Sequence, residues 1–179
     1  MTKKDIRGIL LTSEIDMGNS FKCDPISGIV YNLDDEESMS KFFAEVESNI
    51  ANPEITAARL KNAFEKDDTT DWDNFLTEGN LGFWYIDVQG SISTNRYMLW
   101  TRYLIDSPKG EYIHRFPKIE SAYKLTSSEF VKEIVANLKQ NQPKLSGRTI
   151  LSYLRSKNLT GLNQLLENHD LEIQEVQIV

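Results

Sequence analysis

The chain has 179 residues, a formal charge of −7, 40% hydrophobic and 26% charged residues, and only nine Gly and five Pro. That is the composition of one globular domain, not of a disordered, fibrous or repeat protein. No apolar run approaches the ~20 residues of a membrane helix, and Ile9-Leu10-Leu11 is too short for the roughly 7–15-residue core of a signal peptide. With the lone Cys23 excluding an internal disulfide, the expectation is a soluble cytoplasmic protein that leaves membranes alone.

The net charge hides an asymmetry. Residues 1–90 hold 8 Lys/Arg against 18 Asp/Glu, whereas residues 91–179 hold 12 against 9. Within Arg96–Lys157 the count is 12 basic against 5 acidic. Two surfaces of opposite sign are expected, unless the halves neutralise each other where they pack.

Ile6 to Leu11 is compatible with a strand or a short helix. Asp24-Pro25-Ile26-Ser27-Gly28 reads as a turn and Ile29-Val30-Tyr31 as a short strand. An acidic helical block spans 34–79. Asp34, Asp35, Glu36 and Glu37 suit the positive end of a helix dipole, and Met39, Phe42, Phe43, Val46 and Ile50 form one apolar stripe behind them. Asn52-Pro53 predicts the start of a second helix carrying Ala57, Leu60, Ala63 and Phe64. Thr70 predicts the cap of a third, with Trp72, Phe75 and Leu76, stopped by Gly79.

The central strands span 81–116, the densest aromatic and β-branched stretch. Along Arg96–Ile105, Arg96, Met98, Trp100, Arg102 and Leu104 share one face, and Tyr97, Leu99, Thr101, Tyr103 and Ile105 the other. Asp106-Ser107-Pro108-Lys109-Gly110 is turn chemistry, and Glu111–Phe116 returns as the partner strand. C-terminal helices fill 126–168. Thr126-Ser127-Ser128-Glu129 reads as a capping box before Phe130, Val131, Ile134, Val135 and Leu138, closed by Asn141-Gln142-Pro143. Ser146–Ser156 follows, and Thr160 caps a short helix with Leu162, Leu165 and Leu166. A terminal strand at 171–178 shows a slip of alternation near Gln174 that a bulge would make. The predicted fold class is α+β: a single domain in which an antiparallel meander centred on residues 81–116 packs against helices.

No chemistry-bearing motif stands out. Two histidines, His114 and His169, and one cysteine do not make a structural zinc set, so neither a metal nor another cofactor is expected. No Gly-x-Ser-x-Gly elbow, Walker A loop or dinucleotide fingerprint occurs. Cys23 beside Asp24 is poorly placed as a nucleophile, because the neighbouring negative charge disfavours its thiolate. Asp87 interrupts Phe83-Trp84-Tyr85-Ile86-Asp87-Val88, but it lacks the second acid and lysine at the spacing a nuclease strand needs. It reads as a solvent-facing strand end, and no catalytic residue is assigned.

Two binding readings remain. Arg96, Trp100, Arg102, Tyr112 and His114 are the candidate binding residues. On neighbouring strands they form the cation-flanked aromatic face that holds single-stranded nucleic acid, although alternation with Met98 and Leu104 equally makes Trp100 core. The favoured reading is a non-catalytic protein-binding domain of inhibitor, immunity, adaptor or accessory-subunit type. It rests on charge polarity and on more aromatic side chains than one sheet face must bury. Nucleic-acid binding is the alternative, and an enzyme with an unrecognised site is the third.

Overall fold

The computed structural model describes residues 6–16, 21–66, 69–90, 95–108, 110–139 and 145–179. Two hairpins organise the chain. Strand β1 (Ile6–Asp16) pairs antiparallel with β2 (Phe21–Asn32), and β4 (Arg96–Ser107) with β5 (Gly110–Pro117). Each hairpin is followed by three helices and a returning strand. After β2 come α1 (Glu36–Ser48), α2 (Ala57–Glu65), α3 (Thr69–Glu78) and β3 (Leu81–Val88). After β5 and the two-residue β6 (Ser121–Ala122) come α4 (Ser128–Ala136), α5 (Gly147–Arg155), α6 (Leu159–Leu166) and β7 (Leu171–Ile178). β3 lies antiparallel to β1, and β7 antiparallel to β4. The two halves therefore repeat one ββαααβ plan.

The seven strands form one sheet in the order β5-β4-β7-β2-β1-β3-β6, and an added β5–β2 pairing closes four of them into a small barrel. The predicted antiparallel meander is thus corrected. β3 does not neighbour β4, and the β2–β7, β2–β5 and β3–β6 pairings are parallel. The reason is physical: alternation fixes the face each side chain presents, but not the edge that a strand joins.

The expected turn at Asp24–Gly28 is also corrected, because it lies inside β2. Ile26 to Ile29 stand opposite the single Leu11 of β1, since the register passes from Leu10↔Val30 to Thr12↔Pro25. Gly28 takes φ +70°, a conformation that glycine adopts without steric cost. The irregularity lets one strand serve two neighbours. Lys22, before it, pairs with Arg115 of β5, and Ile29 and Val30, at its end, pair with Gln177 and Ile178 of β7. Turn chemistry has been used to bend a strand and close the barrel.

Three buried clusters follow from alternation along these strands. Met39, Phe42, Phe43 and Val46 of α1, with Leu60 of α2 and Trp72 and Leu76 of α3, cover Ile9, Leu11, Tyr31 and Leu81. Phe130 and Ile134 of α4, Ile150 and Leu154 of α5, and Leu162 and Leu166 of α6 cover Leu99, Leu171 and Ile173. The third cluster belongs to the strands alone and holds Leu10, Cys23, Val30, Ile86, Val88, Met98, Trp100, Ala122 and Val176. Gly8 sits at its edge because a Cβ there would run into the Val30 side chain.

The caps shift several expected boundaries. Asp35 caps α1 by accepting from the N–H of Glu37 (2.9 Å) and Ser38 (3.1 Å). The second helix is capped by Thr56 and starts at Ala57, not at Asn52-Pro53. Asn52 instead accepts from the Glu54 N–H in a turn, as its side chain favours. Ser127 caps α4, one residue later than the expected box, and Asn158 caps α6 in place of Thr160. β7 keeps a continuous register with β4 from Leu171↔Thr101 to Val176↔Arg96, so the expected bulge at Gln174 is absent. The Thr70 side chain and the Asn141-Gln142-Pro143 segment lie outside the described residues.

Candidate functional site

The face Arg96–Met98–Trp100–Arg102 runs from buried to half-exposed. Trp100 and Met98 are wholly buried among the strands. Arg96 is also buried, and its guanidinium donates to the carbonyls of Gln89 (3.2 Å) and Asn95 (3.4 Å). Only Arg102, two positions beyond Trp100, reaches solvent, and there it meets carboxylates. It lies 3.5 Å from Glu172 of β7 and 3.7 Å from Glu167. Arg115, cross-strand from Arg102, binds the same Glu172 and also Asp24 of β2 (2.7 Å). Burial alone would lower the pKa of Arg115, but its bonds to Asp24 and Glu172 outweigh that and raise it.

One acid therefore ties two arginines, and with Asp24 four strands are joined by charge. Beside this network β4, β7 and α6 leave an open cleft of about 290 Å³ containing Arg102, Thr160, Asn163, Gln164 and Glu172.

His114 faces the other way. Its ring stacks on Tyr103 at 4.8 Å and meets Phe116 edge-on, and its Nδ1 accepts the backbone N–H of Phe21 at 3.2 Å. It acts as a pin between β5 and β2. Tyr112 pairs with Ile105 in the β4–β5 register, and its side chain lies outside the described residues. Arg102 and His114 thus occupy opposite faces of the hairpin, Trp100 and Arg96 are interior, and the five do not converge on one surface.

Cys23 sits in the strand cluster and receives the Trp84 indole N–H at 3.1 Å. Burial pushes its thiol up to about 11, so at neutral pH it is a protonated core group. Among the described residues, no three His, Cys, Asp or Glu side chains lie close enough together to hold a metal ion. A second cleft of about 180 Å³ lies between α1 and α2, lined by Met39, Phe43 and Phe64 together with Asp34, Glu36, Lys61 and Glu65.

The feature sequence reasoning missed is an edge. On one side β3 pairs with β1 along its whole length, from Val88↔Ile6 to Leu81↔Ser13. On the other side it meets β6 only at Asp87 and Val88. The Asp87 N–H donates outward, to the Glu120 carbonyl. Because backbone groups alternate sides along a strand, Phe83 and Tyr85 direct theirs the same way, and among the described residues no strand lies there.

The corresponding strand of the second half is guarded. At the third residue of β7, the Asn163 side chain accepts the Ile173 N–H (2.8 Å) and donates to the Ile173 carbonyl (3.1 Å), so a carboxamide stands in for a neighbouring strand. The third residue of β3 is Phe83, and among the described residues no side chain is bonded to its backbone in this way. A sequence signal existed: Leu81-Gly82-Phe83-Trp84-Tyr85-Ile86 has no charged residue, whereas exposed strand edges usually carry one.

Compared with known proteins, the chain matches no family model, no curated protein and no solved structure.

Proposed function

We propose that this protein is a non-catalytic binding module for another protein, of inhibitor, immunity, adaptor or accessory-subunit type. The observation that carries the reading is the separation of its charge. Residues 34–79, which hold α1–α3, contain 13 acids and 4 bases, whereas residues 126–168, which hold α4–α6, contain 3 acids and 6 bases. The two helical layers belong to separate buried clusters on different strands, so the opposite charges do not cancel in a shared interface. Such polarity steers and orients a complementary protein surface.

Nucleic-acid binding through β4 and β5 draws less support. A polyanion needs free cations, but Arg102 and Arg115 are already held by Glu172, Glu167 and Asp24, while Trp100 has no face to stack on.

The test is affinity capture of the tagged chain from its own host, followed by nuclease digestion and mass spectrometry. The reading expects a near-stoichiometric protein partner that survives digestion and is released by salt. Material that disappears with nuclease, or no protein above background, would overturn it.

A further inference from the structure

We propose that the open edge of β3 takes an extended, basic segment of a partner protein as an added strand. The inference rests on the protein-binding reading and names where and how the partner docks.

The first observation is geometric. Phe83 and Tyr85 aim N–H and carbonyl groups at an edge that β6 covers only at Asp87 and Val88. An incoming strand can complete that ladder, which is how sheets recruit extended peptides. The second observation is internal to the fold. The repeated half closes the same position with Asn163, whose carboxamide satisfies both backbone groups of Ile173. Among the described residues, an edge that one half of the protein masks is left without such a clamp in the other. The third is chemical. Leu81–Ile86 carries no charge and no proline, so it lacks the usual devices against strand addition, and Tyr85 is 41% exposed there with Arg7 over its ring.

Charge selects the occupant. Helix α3, which leads into β3, has three acids and no base, and Asp87 and Glu120, which meet where β6 covers the edge, are both exposed. A second copy would bring the same acids, on a chain of charge −7, against themselves. A strand with lysine or arginine at alternate positions is attracted instead.

The test uses the isotope-labelled full chain and two probes: acetyl-Lys-Val-Lys-Val-Lys-Val-amide and the matched peptide with Glu for Lys. The basic peptide should give saturable shifts centred on the Phe83 and Tyr85 amides and slow their hydrogen exchange at least tenfold. The acidic peptide should do neither. Tyr85→Pro, which removes an outward donor and leaves the β1 ladder intact, should abolish binding. Should that variant not fold, Tyr85→Lys should weaken binding of the basic peptide at least tenfold.

No saturable shift at these amides up to millimolar peptide would overturn the proposal, as would equal binding of both peptides. Protection of Phe83 and Tyr85 that grows with protein concentration alone would assign the edge to a second copy and overturn it too. A nuclease-resistant partner found while the peptide fails at β3 sinks this inference alone. Absence of any protein partner sinks the reading beneath it.

Discussion

Asn163 and Ile173 form a two-way clamp: the side-chain carbonyl accepts the Ile173 N–H at 2.8 Å, and the side-chain amide donates to the Ile173 carbonyl at 3.1 Å. The helix α6 thereby finishes the edge of β7 without a strand. Removing the clamp strands two half-buried backbone groups, so Asn163→Leu should cost about 1–3 kcal/mol in chemical denaturation. Asn163→Asp, which keeps the acceptor and loses the donor, should fall between the variant and the parent.

Trp100 is wholly buried among strand side chains. Trp100→Ala should lower stability by roughly 3–5 kcal/mol, the range for a truncated core aromatic, read from the denaturation midpoint. An unchanged midpoint would place the ring outside the packed interior.

Glu172 links Arg102 and Arg115 across β4, β5 and β7. Glu172→Gln leaves two cations sharing no acid, and should cost about 1.5–3 kcal/mol at low salt, less as salt screens the remaining charges. The same variant frees positive charge on that face. If the parent chain is retained on DNA or RNA at 50 mM salt and released by about 200 mM, the nucleic-acid alternative gains; no retention removes it.

The Cys23 thiol is raised to about 11, chiefly by burial, while an unfolded thiol titrates near 8.5. The folded state holds its proton longer. The stability from this group is therefore complete below about pH 8.5 and is lost as pH rises through 11, because the unfolded chain sheds its proton first. Tyr31, raised by burial and by its bond to Glu45, acts in the same direction at higher pH. At pH 8 the native thiol should react with a disulfide reagent at least about a hundredfold more slowly than the denatured thiol.

The sequence made much of the local structure legible. The stripe Met39–Phe42–Phe43–Val46 predicts the buried face of α1, and Ser146 and Ser156 bound α5 where the pattern puts them. The β4–β5 hairpin is also where turn chemistry places it. Strand neighbours were not legible, because pairing β3 with β1 depends on residues about 70–80 positions apart. Asp24–Gly28 misled for a related reason: the residues that make a turn also make an irregular, bent strand. The candidate set dispersed because one strand carries residues of two environments. Trp100 and Arg102 share a face, yet a single repeat of the pleat separates core from solvent.

The contrast between the open edge of β3 and the clamped edge of β7 is the structural feature on which partner docking depends. Native-state hydrogen exchange of the free chain measures it directly. The Phe83 and Tyr85 amides should exchange far faster than Ile173, and at the same rate across a tenfold range of protein concentration. Protection at Phe83 and Tyr85 equal to that of Ile173 in the dilute chain would contradict an open edge.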